Sequence, residues 1–558
     1  MYRWTRHLTK IVPIVLTLIF LFFLYRFNAP ELKRNISKTV ETISRQDASD
    51  MKKKEKEDIN LLTEYQAGLQ LNDSQLPYVV TGGINVYYLS QNMKQDSWEG
   101  YLTASGNKLS VNCIQDEYAG KKKQAIQDNH IYQLIISDGK RYQEADLIVT
   151  GTPVCEMRSV VDTGTTEIDD EDNSEREVFR GTFALFDGTG NNGNEYSVTT
   201  DPFQFHYRGS SSRIYDKKGY AVKLLNKKGK KKTEDLLGLG ESAKWKLISM
   251  YDETSKVREK TAYTLWGEIA AADPDMRESG ASYDYCELIL NHQYAGLYGL
   301  AYPINDDTMK LTDGDIMYKV FSWDMARDKL LSAMEEEKTT SSDIVIKYPE
   351  TADNWTELWK PIFNYQEYGS WHPNVEKEAE GIKLDNQLDY YIFLQVLEAN
   401  DSMFKNSYFI SRKSENGKMT MIPWDLNYSF GDVWADNMTD VTFCYYPDIT
   451  ALYALDMQNT LLGANVLPDG KVVSAESGAG SSIWNRVCQM YWKYRVDILS
   501  DQHISNLMYT NMKYVVNSGA FQRDSVRWPG SKDNKDLTKM TEYEKQRLHF
   551  LDGYFTMK

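Results

Sequence analysis

The run DNQLDYYIFLQVLEANDSMFKNSYFISRKSENGKMTMIPWDLNYSFG, residues 385–431, carries the most structural information in this chain. Asp385 is a helix-capping type, and apolar side chains recur at helical spacing over 386–399, which predicts a core helix. The helix stops at Asn400-Asp401. The loop DSMFKN then sets Asp401 five residues before Asn406. Two β-type runs, NSYFISR and MTMIPW, flank the turn ENGK at 415–418 and predict a hairpin whose second strand delivers Asp425.

The order is helix, Asp-x-x-x-x-Asn loop, hairpin, Asp. Protein kinases use the same order. Phosphoryl transfer explains the residue types: a loop carboxylate orients the attacking hydroxyl and takes its proton, while an amide oxygen and a second carboxylate hold Mg²⁺, a cation that takes oxygen ligands. Taken singly, Asn400-Asp401-Ser402 serves equally well as a turn or helix cap. The ordered set with Asp425 favours the chemical reading.

Working outward, Arg208-Gly209-Ser210-Ser211-Ser212-Arg213 forms a small-residue turn flanked by arginines, and it leads to the β-type segment GYAVKLL with Lys223. A kinase needs a strand lysine under the α- and β-phosphates, and AVK at 221–223 resembles that strand. The competing reading is a surface hairpin in a lysine-rich patch, since KKGKKK follows at 227–232. Neither GxGxxG nor a Walker lysine motif occurs, so a P-loop is not supported.

The remaining chain divides by texture. Residues 11–25, IVPIVLTLIFLFFLY, are uncharged and bounded by Lys10 and Arg26. This predicts an uncleaved signal anchor within 1–29, with a cleaved signal peptide as the alternative. Everything after residue 30 is then expected outside the cytoplasm, on a single-pass protein of the cell membrane. Residues 30–75 are charge-dense and read as a polar stalk. Short β-type runs between turn signals predict a small antiparallel β domain over 76–150. β-rich and then helical texture makes 151–558 an α+β unit. The acidic run at 167–177 lacks the calcium-loop pattern and reads as a solvated loop.

A formal charge of −16 argues against a nucleic-acid partner. Five scattered cysteines without a CxxC pair exclude a zinc ribbon and a disulfide framework, leaving room for one bridge. Seven histidines show no HExxH spacing. Thirty-eight Tyr and 13 Trp keep open a carbohydrate-active protein, which needs two carboxylates astride a sugar bond. Asn406 and the hairpin have no part in that chemistry.

With these residues in view, the chain resembles the CotH kinase family. The matching elements are HYRGSSSR with KKGYAVKL, WKLISMYDETSKVRE, YCELILNHQYAGLYGL, EANDSMFKNSYFI, IPWDLNYSFG and RDSVRW, in order across about 150–530. The resemblance implies an atypical protein-kinase-like fold, ATP and Mg²⁺, and Ser or Thr acceptors on a surface or coat protein. Carried over, Asp401 is the catalytic base, Asn406 and Asp425 are metal ligands, and Arg208, Arg213 and Lys223 contact nucleotide phosphates. Arg258 matches the arginine of the family's Asp-x-Ser-x-x-Arg segment, with Glu253 for the acid. Three positions depart from the family's pattern: Asn427 stands for a second Asp, Tyr302 for a Glu and Ser210 for an Asn. A non-catalytic scaffold or adhesion protein of the same family is therefore the alternative.

Overall fold

In a computed structural model of the chain, residues 40–557 are described, except 66–67, 72–73, 95–97, 100–101, 105–108, 170–172, 191–196, 274–278, 322–326, 370–374, 403–404, 433–460 and 475–480. The chain forms two compact units.

The smaller unit comprises the described residues up to Leu76, Ser97–Gly120 and Tyr132–Asp146. Strand Glu41–Ile43 runs parallel to Ser110–Ile114, which pairs antiparallel with Ile131–Ser137. Strand Lys56–Glu57 runs parallel to Arg141–Thr150. In the segment expected as a stalk, Glu41–Ile43, Lys56–Glu57, Leu69–Leu71 and Ser74–Gln75 are strands, and Arg45–Lys54 and Leu61–Glu64 are helices. A capping box fixes the start of the Arg45–Lys54 helix: Ser44 accepts from the Asp47 backbone and Asp47 answers the Ser44 backbone. Ala48 buries its inner face. Polar composition hid these elements because short strands and one capped helix need few apolar residues.

The larger unit starts its main sheet with β1 (Val154–Ile168), β2 (Glu175–Asp187), β3 (Ser197–Arg208), β4 (Gly219–Leu224) and β5 (Lys244–Ile248). Helix α1 (Arg258–Ala272) precedes β6 (Ser282–Leu290) and β7 (Gln293–Tyr302). These strands close a barrel in the order β1-β2-β3-β4-β5-β7-β6, with β1 and β6 parallel. Alternate residues fill it, as a two-residue strand period requires: Phe203 and Phe205, Tyr220 and Val222, Trp245 and Leu247, Tyr298 and Leu300. Cys155 and Cys286 are fully buried among them as free thiols, and burial pushes both thiols up.

Next come β8 (Ile316–Val320), α2 (Arg327–Glu335), β9 (Ile344–Tyr348), α3 (Trp355–Gly369), α4 (Val375–Gly381), α5 (Leu384–Leu397), β10 (Ser407–Ser411) and β11 (Met419–Pro423). Four of these strands form an antiparallel sheet in the order β9-β8-β10-β11. Residues 386–397 of α5 are buried throughout, which matches a helix without a polar face. The chain ends in α6 (Ser482–Arg495), α7 (Asp501–Asn517), α8 (Ala520–Arg527) and α9 (Thr538–Tyr554).

The expected architecture needs correction. What is described is a mixed α/β protein, and among the described residues no helix is long and apolar enough to cross a membrane. The run at 11–25, on which the transmembrane helix rested, lies outside the described residues. The single-pass placement in the cell membrane and the membrane as a partner are withdrawn with it.

Candidate functional site

The loop between α5 and β10 is shaped by its own polar groups. Helix α5 ends at Glu398 in the left-handed region (φ +50°), and Asn400–Ser402 form a single 3₁₀ turn. The Asn406 amide nitrogen donates to the Asp401 carbonyl at 3.2 Å and to Asp401 Oδ2 at 2.9 Å. Both bonds use Nδ2, so Oδ1 remains as the amide's acceptor. Backbone bonds tie this loop to its neighbours: Asn406 N donates to Val320 O at 3.2 Å, and Trp424 N to Asn406 O at 2.8 Å. Asn406 and Asp425 both hold positive φ, +60° and +62°. Non-glycine residues rarely occupy that region outside turns and functional sites.

Asp401, Asn406 and Asp425 line one cavity of about 480 Å³ together with Arg208 and the Gly209–Ser212 turn. Gly209 is required there: at φ +101° a Cβ would lie 2.2 Å from Ser212 Oγ. Trp424 is fully buried and takes cations over its ring, Lys246 Nζ at 4.2 Å and the Arg208 guanidinium at 5.7 Å.

The other two expected contacts lie elsewhere. Lys223 lines a second cavity of about 520 Å³ and pairs with Glu167 at 3.0 Å. Arg213 lies in the short turn Ser211–Ile214 and lines neither cavity. Tyr302, which stands for a Glu of the family's pattern, packs on Trp245 with ring centroids 5.8 Å apart. Glu167 is the acid that Lys223 finds.

The two cavities share strands. On β3, Arg208 faces the first and His206 the second; on β4, Gly219 faces the first and Ala221–Lys223 the second; on β5, Ile248 faces the first and Trp245 and Lys246 the second. At about 3.3 Å per residue these positions are roughly 7–13 Å apart. The second cavity has apolar walls at Val222, Pro303 and Ile346, and lysines 231, 244, 246 and 347 also line it. His206 faces Glu167 at 3.4 Å and Asp169 at 3.3 Å. Burial opposes its charge, but the two carboxylates push it up to about 9.

Sequence reasoning missed two acids of the first cavity. Glu259 opens α1, is 3% exposed, and accepts from the Tyr263 hydroxyl at 2.8 Å. Asp252 Oδ2 accepts from Asn427 Nδ2 and the Tyr428 hydroxyl, each at 3.1 Å. Asn427, the residue standing for a second Asp, thus touches a carboxylate from another segment. The only sequence signal was adjacency to the Glu253–Arg258 segment. In that segment Glu253 accepts from Arg258 N at 2.6 Å and from Ser255 Oγ at 2.8 Å, a local cap for α1.

These acids crowd one another. Burial pushes Asp401 up to about 6, with Asp425 adding to the shift and Lys405 opposing it. Burial and then Asp425 raise Asp252 to about 6 and Glu259 to about 8. Lys405 Nζ lies 3.1 and 3.3 Å from the two Asp401 oxygens. Among the described residues, no group of three or more His, Cys, Asp and Glu side chains is arranged to hold a metal ion. A mixed amide–carboxylate set nevertheless offers the oxygen ligands that a divalent cation takes. Buried Asn427 Oδ1 and Glu253 Oε2, both on residues lining the cavity, have no hydrogen-bond partner among the described residues. A cation there would offset the Asp425 charge that adds to the effect of burial on these acids.

The core helix, the acid–amide loop and the hairpin that ends in Asp425 stand beside a barrel wall carrying Arg208. The family described as CotH kinase protein matches residues 205–551, more than half of the chain, and the chain belongs to that family. Inner spore coat protein H of Bacillus subtilis (strain 168) is 24% identical over 239 residues, covering 42% of this chain and 60% of that protein. The chain therefore spans less than two thirds of that relative's length.

Proposed function

We propose that the chain is an atypical Ser/Thr protein kinase that moves the γ-phosphoryl group of ATP to hydroxyls of a coat or surface protein, with 151–558 as its catalytic unit. The observation that carries this reading is the shared cavity of Asp401, Asn406, Asp425 and Arg208. The coat as destination follows the name of the relative.

ATP lies along the shared strands, its base between the apolar walls of the second cavity and its phosphates against Arg208 and the Gly209–Ser212 turn. Lys223 and Lys246 face the nucleoside end. Asn406 and Asp425, with Asn427 and Asp252 beside them, would hold Mg²⁺. The chemistry a bound cation would supply is neutralisation of charge on the phosphates. Asp401 orients the acceptor hydroxyl and takes its proton, and a carboxylate titrating near neutrality is suited to that task.

The test is transfer of label from γ-labelled ATP to dephosphorylated casein. Label is expected to require Mg²⁺ and to fall by about 10²-fold or more in Asp401→Asn. Undiminished transfer in that variant overturns the assignment.

A second reading, a non-catalytic family member acting as a coat or surface scaffold, is favoured by Lys405, which covers both oxygens of Asp401. It anticipates no heat of Mg·ATP binding in calorimetry, whereas the kinase reading anticipates a saturating isotherm.

A further inference from the structure

The loop Lys338-Thr339-Thr340-Ser341-Ser342-Asp343 carries four hydroxyls along the two cavities: Thr339 and Thr340 line the second, Ser341 and Ser342 the first. No part of the proposed mechanism uses them. Their bonding separates them. Ser341 Oγ is committed to the turn, donating to Ile344 O at 3.2 Å and accepting from Asp343 N at 3.2 Å and Ile344 N at 3.0 Å. Ser342 is exposed, and its hydroxyl makes one bond, to Asp343 Oδ2 at 3.0 Å.

Backbone bonds fix how near Ser342 is to the base. Phe321 N donates to Asp343 O at 2.7 Å, and Asn406 N donates to Val320 O at 3.2 Å. In register, Ile344 and Ser407 flank Val320 on either side. Two strand spacings of about 4.8 Å place the Ser342 loop within about 10 Å of Asn406, whose side chain holds Asp401. Ser342 and Asp401 thus project from the same end of one sheet into one cavity. The Ser210–Ser212 hydroxyls lie on the barrel side, with Arg208, where they face the phosphates instead.

We infer that Ser342 is an intramolecular phosphoacceptor, modified by its own active site. The inference rests on the kinase reading above. Released from Asp343, the hydroxyl stands on the wall of the cavity that Asp401 also lines. Ser342 Oγ then bonds to the γ-phosphorus of ATP, the bond from that phosphorus to the β–γ bridging oxygen breaks, ADP leaves with the electron pair, and the hydroxyl proton passes to Asp401. The product places about two negative charges beside Asp343, Asp401 and Asp425, so the modified cleft binds nucleotide more weakly.

The test is peptide mapping by mass spectrometry after incubation of the full chain with Mg·ATP, alongside transfer to casein. Phosphate is expected on Ser342, at a rate per chain independent of protein concentration. It is lost in Ser342→Ala and reduced about 10²-fold or more in Asp401→Asn. Transfer to casein with none on Ser342 overturns this inference and leaves the kinase reading standing. A rate that rises with concentration overturns the intramolecular step, and label persisting in Asp401→Asn overturns self-modification. Absence of transfer to any acceptor removes the kinase reading and this inference together.

Discussion

The Tyr263 hydroxyl accepts the backbone N–H of Asp425 at 3.2 Å. The same hydroxyl donates to Glu259, so helix α1 reaches the hairpin acid through one phenol oxygen. Asp425 holds positive φ, a conformation that persists only when its surroundings enforce it. Tyr263→Phe keeps the ring packed against Tyr283 and Trp424 but removes this lock. Outer contacts of this kind are worth about 10–100-fold in metal affinity. Titration calorimetry with Mg·ATP is expected to show a loss of that order, with the melting transition kept; unchanged affinity rules out the positioning role.

The raised acids set a pH dependence whose sign follows from proton uptake. Asp252 and Asp401 titrate at about 6 and Glu259 at about 8, all above their ordinary values because burial disfavours the charge. Between the ordinary and raised values the folded chain binds more protons than the unfolded one, so stability declines as pH rises. Without divalent cation, the melting temperature is expected to drop through pH 6 and again towards pH 8. Millimolar Mg²⁺ is expected to restore more of it at pH 8 than at pH 5, because at the higher pH fewer protons compete. A flat difference across that range contradicts a cation at these acids.

Much of the site was legible because its parts are local in the chain. The apolar spacing of 386–399 and the two runs around ENGK give α5, β10 and β11 directly, and a tight hairpin forces Asp425 back beside Asn406. Contributions from distant segments left no comparable trace. Glu259 reaches the cavity from the first turn of α1 and Asp252 from the segment after β5, and parallel closure of β1 on β6 pairs strands with more than a hundred residues between them. Lys223 was legible as a strand lysine. Its position along β4, beyond Gly219, places it in the second cavity, and no local pattern marks where the boundary between cavities falls.

Deep in the larger unit, Lys217 Nζ lies 2.7 Å from Asp524 Oδ1, with neither side chain exposed. Asp524 also accepts from Leu297 N at 2.8 Å, which ties α8 to β7. Removing one partner strands a buried charge, at a cost of about 3–5 kcal/mol. Asp524→Ala is expected to lower the urea midpoint accordingly, and Lys217→Met combined with Asp524→Leu to recover part of the loss. A single variant as stable as the parent shows that the pair is not closed off from water.

Lys405 separates the catalytic from the scaffold reading most directly. Its ammonium lowers the Asp401 pKa against the upward pull of burial and Asp425. Lys405→Met removes that opposition, so the carboxylate titrates at higher pH and is more protonated at pH 7. If Asp401 is the base, the acid limb of the pH–rate profile for transfer to casein moves to higher pH, while the rate on the alkaline plateau recovers towards the parent's. A rate lowered equally at every pH indicates that Lys405 acts on substrate instead. If Lys405 masks a redundant acid, as the scaffold reading holds, neither parent nor variant transfers phosphate at any pH.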